Sequence, residues 1–288
     1  MAHNDTESLV STEWLAQHLA APDVRLVDAS WYLPQMERDA QAEYAQAHIP
    51  GAVFFDIDEI CDTDSEFPHM LPSPEKFSSR VRRMGLGDGN RIVVYDGSGC
   101  LSAARVWWMF RVFGHPDVAV LDGGMPKWRN EGRPTEDLPP HPRERHFTAR
   151  LNSLMIRDLD QMQANVVSGR EQVLDARSAG RFSGTDPEPR PGLAGGSIPG
   201  STNIPFTDLF NPVDGTFLPE DELQQVLTAA GVDLKRPIVT TCGSGVTAAI
   251  ISLALHTVGC PNTSLYDGSW TEWASTGGSD NAQNRGTG

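Results

Sequence analysis

The sequence has 288 residues, of which 39% are hydrophobic and 21% charged, and its formal net charge is −15 at pH 7. This length favours two domains, either of which could bury its own core. The composition is typical of a globular protein. The acidic balance argues against nucleic acid or an anionic membrane as a partner, because both require a basic face.

No apolar run approaches the length of a membrane span. The polar, acidic N-terminal residues argue against a signal or transit peptide. The cysteines are Cys61, Cys100, Cys242 and Cys260, and they form neither a CxxC pair nor a zinc-like spacing with histidine. We therefore expect free thiols, a cytoplasmic location, and no metal or organic cofactor.

Short apolar strands alternate with helical patterns along the chain. In the first half, these are a short helix opened by 9–15 with Ser11 as its cap, a strand at 24–29, an apolar run at 53–55, a helix at 74–84, a strand at 92–95, a helix at 103–113 and a strand at 118–121. In the second half, these are a helix at 156–162, a strand at 173–177, the stretch 203–206, a helix at 219–230, a strand at 238–241, a helix at 248–255 and the stretch 265–269. This alternation predicts an α/β fold, with parallel sheets covered by helices on both faces.

The second half repeats the spacing of the first. The shared intervals are 11 residues (Gly85 to Asp96, Gly231 to Cys242), 8 residues (Gly114 to Asp122, Gly259 to Asp267) and 6 residues (Asp122 to Trp128, Asp267 to Trp273). A duplicated domain explains these matches. We predict one domain at 1–138, a Pro-rich and charged linker at 139–152, a second domain at 153–276 and a disordered tail at 277–288.

Cys242 ends a β-branched run and precedes a turn of mostly small residues that leads into an apolar helix. Such a turn and the positive end of the helix favour a thiolate, which is a nucleophile. The alternative is a buried structural cysteine, the usual fate of a free one. Because Asp96 stands at the equivalent place in the first copy, the thiol indicates one working site, in the second copy. Cys100 lies off the equivalent place and is interpreted as a packing residue.

The duplicated pattern, the segments 48–52 (HIPGA) and 197–201 (SIPGS), and the single cysteine loop together resemble the tandem-rhodanese sulfurtransferases over residues 9–275. The loop at 242–247 is similar to that of the 3-mercaptopyruvate sulfurtransferases. Thiosulfate sulfurtransferases of the same fold typically carry basic residues where Gly243 and Ser244 stand. The resemblance implies two rhodanese-like domains, with the first lacking the catalytic cysteine.

The resemblance also implies a reaction. Cys242 takes sulfur from 3-mercaptopyruvate as a persulfide, pyruvate leaves as its enolate, and a thiol acceptor such as thioredoxin, or cyanide, removes the sulfur. Loop N–H groups would stabilise the anionic sulfur. The substrate-binding loop residues are Gly243, Gly245, Val246 and Thr247.

Five further residues take roles from the resemblance. Arg181 and Arg190 would bind the donor carboxylate. Ser244, His69 and Asp58 would form a relay that protonates the enolate, with His69 and Asp58 supplied by the first domain. By composition alone, the arginines are solvated loop residues, His69 is a surface histidine and Asp58 is a helix cap.

The sequence also allows a comparison with three other functions. A thiosulfate:cyanide sulfurtransferase is the close alternative, and a non-catalytic rhodanese-like binding module is a remote one, since such modules usually lack the cysteine. A phosphatase of related topology needs an arginine six residues after its cysteine, where this chain has Ala248.

Overall fold

A computed structural model describes residues 8–260 and 262–276; the tail predicted at 277–288 lies outside them. The described residues form two compact units. Unit 1 contains those of Met1–Thr63, Leu71–Asn152 and Asn211–Phe217. Unit 2 contains those of Asp64–Met70, Ser153–Phe210 and Leu218–Gly288. The boundaries predicted at 138 and 153 stay a prediction, and in the structure residues 139–152 group with unit 1.

Unit 1 is built on a five-stranded parallel sheet. Its elements in chain order are β1 (Leu9–Val10), α1 (Thr12–His18), β2 (Val24–Asp28), α2 (Ala40–Gln46), β3 (Val53–Phe54), α3 (Pro74–Arg83), β4 (Arg91–Tyr95), α4 (Ala103–Val112), β5 (Val118–Leu121) and α5 (Gly124–Asn130). The strand order is β1-β5-β4-β2-β3, so β4 lies at the centre.

Local sequence explains where a helix such as α1 begins, and the apolar side chains of each element explain which face it buries. The side chain of Ser11 accepts a hydrogen bond from Trp14 N and caps α1, as predicted. Val93 of the central strand packs in one cluster with Leu15 of α1 and Trp128 of α5. The long helix α4 contacts β4 and β5. Burying apolar side chains of this size contributes roughly 1.5–3 kcal/mol each, which stabilises the layered arrangement.

Unit 2 repeats this arrangement. Its elements are β6 (Ile156–Arg157), α6 (Leu159–Ser168), β7 (Gln172–Asp175), α7 (Ala179–Ser183), β8 (Thr202–Asn203), α8 (Glu220–Ala229), β9 (Ile238–Thr241), α9 (Ala248–Thr257), β10 (Thr263–Tyr266) and α10 (Ser269–Ser275). The strand order is β6-β10-β9-β7-β8, the counterpart of the order in unit 1. The predicted α/β fold with parallel sheets flanked by helices is therefore confirmed.

The structure differs from the predicted elements at the sheet edges. Leu9–Val10 and Ile156–Arg157 were included in helical patterns, but each forms an edge strand that pairs in parallel with β5 or β10. Strands this short carry no periodicity of their own, and only the pairing defines them. The stretch that contains Arg181 was expected to be a loop and instead begins with the short helix α7.

The central strand of each unit ends where the two candidate residues stand. Asp96 follows β4 and Cys242 follows β9, both at the carboxyl ends of parallel strands. Ligands bind outside such ends in open α/β sheets. No helix within residues 8–260 and 262–276 combines the length and apolar character needed to cross a membrane.

Candidate active site

Cys242 lies in unit 2 at the junction between β9 and the loop that leads into α9. Its exposed fraction is 2%, and Ser244 and Val246 in the same loop are also buried. Gly245 has a φ of 77°, in the left-handed region where a glycine meets no steric penalty. The loop thus forms a tight turn that holds the thiol at the end of the strand.

The start of α10 holds the backbone at the cysteine. Cys242 N donates to Ser269 Oγ at 3.2 Å, and Trp270 N donates to Cys242 O at 2.9 Å. Thr271 donates twice to Gly243 O, through its N at 3.0 Å and its Oγ1 at 2.6 Å. Ser269 Oγ also donates to Tyr266 O at 2.8 Å, and this second bond fixes the orientation in which the hydroxyl accepts from Cys242 N.

Unit 1 shows what the equivalent loop binds. The buried carboxylate of Asp96 accepts hydrogen bonds of 2.8 Å from the backbone N atoms of Ser98, Ser102 and Ala103. Burial raises the pKa of Asp96, and these N–H donors lower it. The first donor lies two residues after Asp96, and the other two are the N-cap residue and the first residue of α4. The loop in unit 2 is one residue shorter, because α9 begins at Ala248 with Thr247 as its N-cap residue. The corresponding amides in unit 2 are therefore those of Ser244, Thr247 and Ala248.

His69 belongs to unit 2, with the segment Asp64–Met70, rather than to the unit formed by most of the first half of the chain. Its Nδ1 lies 3.0 Å from Ser244 Oγ in a buried hydrogen bond, and its side chain is 6% exposed. Its φ is 63°, an unusual value for a residue with a Cβ. The structure thus brings together two of the three residues predicted to form the relay.

Asp58, the third predicted member, belongs to unit 1. It is exposed, and its Oδ2 accepts a hydrogen bond of 2.9 Å from Trp31 Nε1. Its part in a relay stays a prediction.

Arg181, on α7, is bound by Glu188. Arg181 Nη2 donates to Glu188 Oε2 at 2.6 Å, and its Nε lies 3.2 Å from the same oxygen. The other oxygen of Glu188 accepts from Arg177 Nη1 at 2.8 Å. Arg177 is also paired with Asp175 at 2.7 Å. Glu188 is 2% exposed and Arg181 22% exposed, so the outer side of Arg181 is open to a ligand while Glu188 is enclosed.

Both predicted arginines lie beside Gly243, the residue that follows the cysteine. A Cβ at Gly243 would stand 2.9 Å from Arg181 Nη2 and 3.9 Å from Arg190 Nη1. Any side chain at this position would have to displace Arg181. The absence of a side chain at Gly243 therefore lets two guanidinium groups lie next to the thiol-bearing loop.

Sequence reasoning missed Glu188, Arg177, Ser269 and Thr271. Glu188 stands between the two predicted arginines, a spacing that gives a weak signal for an ion pair. Ser269 lies in the repeated segment around Asp267, and the sequence shows this segment only as a spacing that both halves share. Their contacts depend on chain segments that are distant in sequence, so local patterns do not reveal them. Within the described part of the chain, no three histidine, cysteine or carboxylate side chains are grouped to hold a metal ion.

A family model described as "Rhodanese-like domain" matches the chain twice, over residues 11–131 and 158–276. The human 3-mercaptopyruvate sulfurtransferase is 45% identical over 272 residues, which cover 92% of this chain and 91% of that protein. The bovine thiosulfate sulfurtransferase is also 45% identical, over 273 residues and the same two shares. Overall identity therefore does not distinguish between these two relatives.

A solved structure gives the same result for the fold. The crystal structure of SseA from Escherichia coli, described with the "Rhodanese" fold of 3-mercaptopyruvate sulfotransferases, superimposes with a TM-score of 0.84 at 38% identity. The match covers 92% of this chain and 99% of that chain.

Proposed function

Because the chain belongs to the rhodanese-like family and contains two copies of its domain, we propose that it transfers sulfur from 3-mercaptopyruvate to a thiol acceptor. The family predicted from the cysteine loop and the two repeated segments is confirmed. The relatives named above include enzymes for both donors, 3-mercaptopyruvate and thiosulfate. The choice between these donors therefore depends on the site itself.

The charge around Gly243 is the observation that carries the proposal. Arg181 and Arg190 both approach this residue, but Glu188 neutralises part of their charge. With Arg177 and Asp175 included, the cluster holds three guanidinium groups and two carboxylates, a net charge of about +1. A single carboxylate, as in 3-mercaptopyruvate, matches this charge better than a dianion such as thiosulfate does. The uncharged loop residues 243–247 add no further positive charge.

The proposed reaction has two steps. The Cys242 thiolate attacks the sulfur of the donor, an S–S bond forms, and the C–S bond breaks with its electron pair on carbon. The carbon product is the enolate of pyruvate, which takes up one proton. An acceptor thiolate then attacks the outer sulfur of the persulfide and releases the Cys242 thiolate. The amides of Ser244, Thr247 and Ala248, by analogy with those that bind Asp96, would stabilise the sulfur anion in both states.

The hydrogen bond between His69 and Ser244 supports a route for the proton of the enolate. A hydroxyl that is hydrogen-bonded to a histidine can deliver a proton and be reprotonated by the ring. Asp58 would fix the tautomer of His69 in this proposal, as the resemblance implies. The buried position of the His69–Ser244 pair favours delivery to a bound intermediate over exchange with solvent.

The acceptor and the compartment are proposed on chemical grounds. A dithiol protein such as thioredoxin can attack a persulfide and release the sulfur as sulfide by forming its own disulfide. All four cysteines are free and buried, which suits a reducing cytoplasm. Persulfide discharge by reduced thioredoxin, followed as sulfide release, tests the acceptor, and cell fractionation tests the location.

The donor comparison is the decisive experiment for the proposed function. kcat/KM is measured for 3-mercaptopyruvate and for thiosulfate with one common acceptor, such as cyanide. The proposal expects a clear preference for 3-mercaptopyruvate, while a preference for thiosulfate would overturn the choice of donor. Arg190→Ala should raise KM for 3-mercaptopyruvate much more than for a donor without a carboxylate.

Cys242→Ser tests the nucleophile. This variant should lose sulfur transfer from every donor, and mass spectrometry of the wild-type protein after incubation with donor should show one added sulfur, about 32 Da, on Cys242. Cys260→Ser removes a buried thiol elsewhere in unit 2 and serves as the control. If no adduct forms on Cys242, the protein is better described as a binding module.

A further inference from the structure

Unit 1 contains a cavity that the proposed reaction does not use. It is open to solvent on one side and has a volume of about 480 Å³ between the start of β2, the turn after α3 and the segment 140–145. This volume lies within the range of pockets that bind small organic molecules. The buried side chains of Leu26, Val53 and Leu86 form part of an apolar wall.

The charged side chains that line this cavity are all basic. They are Arg25, Arg143 and Arg145, and His141 lies with them. None of the described residues that line the cavity is acidic, and the described residues provide no ion-pair partner for these three arginines. Among the described residues, the one side-chain hydrogen bond that these arginines make joins Arg25 Nη1 to Val24 O at 2.6 Å. In a protein with a net charge of −15, these arginines form a local cluster of positive charge.

The arginines also repel one another. Burial lowers the pKa of Arg25, the charge of Arg145 lowers it further, and the nearby Asp23 opposes this in part. An anion placed between the two guanidinium groups would remove the repulsion and form charge-assisted hydrogen bonds with both.

The segment 140–145, which carries Arg143 and Arg145, is hydrogen-bonded to the rest of unit 1. Arg145 N donates to Arg82 O at 3.2 Å, and Asp88 N donates to His146 O at 2.8 Å. A Cβ at Gly87 would lie 2.7 Å from Arg145 Cβ, so glycine is required for this close approach. Phe147, which follows the segment, is 2% exposed and packs in the core. The backbone of the predicted linker is thereby held in place at this cavity.

We propose that this cavity is a second binding site, for a small organic phosphate whose apolar body packs against Leu26, Val53 and Leu86. The phosphate dianion binds Arg143 and Arg145 at the rim and Arg25 inside. Each guanidinium can donate two parallel hydrogen bonds to phosphate oxygens. This site gives unit 1, which carries Asp96 in place of a nucleophile, a binding role of its own.

The test uses 4-methylumbelliferyl phosphate, a flat aromatic phosphate, with binding to the full chain measured by isothermal titration calorimetry. Inorganic phosphate alone and 4-methylumbelliferone alone separate the contributions of the charged group and the apolar body. The proposal expects the phosphate ester to bind at least about tenfold more tightly than either part, because charge-assisted and apolar contacts then act together. Equal or weaker binding of the ester would overturn it.

Variants locate the site. Arg143→Gln with Arg145→Gln should weaken ester binding at least about tenfold. The control is Arg83→Gln with Arg170→Gln, which removes the same charge from two exposed arginines outside the cavity and should leave binding unchanged. Arg25→Gln is a second test from inside the cavity. If Arg190→Gln abolished binding instead, the probe would occupy the site near Cys242, and the proposal would be wrong.

Discussion

The charge of Glu188 should set the donor preference of the active site. Glu188→Gln keeps the shape of the side chain but removes the negative charge that contacts Arg177 at 2.8 Å and Arg181 at 2.6 Å. The net charge of the cluster then rises from about +1 to about +2. The added positive charge strengthens the binding of both sulfur donors, but it strengthens the binding of the dianion thiosulfate more than that of the monocarboxylate 3-mercaptopyruvate.

The size of the effect follows from distance and exposure. The carboxylate of 3-mercaptopyruvate is taken to bind the outer side of the Arg181 guanidinium, whose inner side binds Glu188. Two hydrogen bonds of about 2.8 Å and the width of the guanidinium then separate the two carboxylates by roughly 7 Å. A unit charge at this distance changes the energy of another by roughly 2 kcal/mol at an effective dielectric constant of about 20. Because Arg181 is 22% exposed, solvent screening reduces this to about 1 kcal/mol. The preference for 3-mercaptopyruvate over thiosulfate should fall about fivefold.

The assay is the ratio of kcat/KM for the two donors in wild-type and Glu188→Gln protein. The control is Glu171→Gln, which breaks a similar bidentate pair with Arg157 in the same unit, with hydrogen bonds of 2.9 and 2.7 Å. The control should leave the ratio unchanged. The free energy of unfolding of Glu188→Gln should fall by about 1–3 kcal/mol, because one arginine keeps an acceptor and the other loses it. An unchanged ratio, or one that moves towards 3-mercaptopyruvate, would refute the reasoning.

Three further predictions concern other described contacts. Ser269→Ala removes the acceptor of Cys242 N and should cost about 1–2 kcal/mol of unfolding free energy and slow persulfide formation in single-turnover mass spectrometry. Burial raises the pKa of Asp122 from 3.8 to about 6. Between these pH values the folded protein holds a proton on Asp122 that the unfolded chain has lost. This group therefore makes the unfolding free energy fall as pH rises from about 4 to 6. Asp122→Asn should remove that part of the fall in urea titrations at several pH values. His69→Ala should slow the donor half-reaction and spare persulfide discharge in stopped-flow experiments.

Each of these has a matched control. Ser275→Ala removes a hydroxyl of α10 that donates to Thr271 O at 2.7 Å, and it should leave persulfide formation unchanged. Asp137→Asn removes an exposed carboxylate of unit 1 and should leave the pH dependence unchanged. His146→Ala removes an exposed histidine and is the control for His69→Ala. Equal losses in both half-reactions of the His69 variant would count against the proton relay.

The amino-acid sequence by itself determined the repeated α/β architecture. The intervals from Gly231 to Cys242 and from Gly85 to Asp96 are both set by a helix-to-strand connection of fixed length, so they survive in the linear order. The apolar runs predicted the central strands because strands buried on both faces are hydrophobic along their length. The edge strand at Leu9–Val10 was not predictable in this way, since two residues have no period and pairing with β5 alone makes them a strand.

Only the tertiary structure decided which groups surround the thiol. His69 precedes Ser244 by 175 residues, and no local pattern shows that the segment Asp64–Met70 joins unit 2 while Asn211–Phe217 joins unit 1. Likewise, the sequence places Glu188 near Arg181, but the charge of the site depends on which arginines the carboxylate contacts. Local propensity acts over a few residues, whereas burial and ion pairing act between whichever segments the fold brings together, and those contacts give Cys242 its chemical environment.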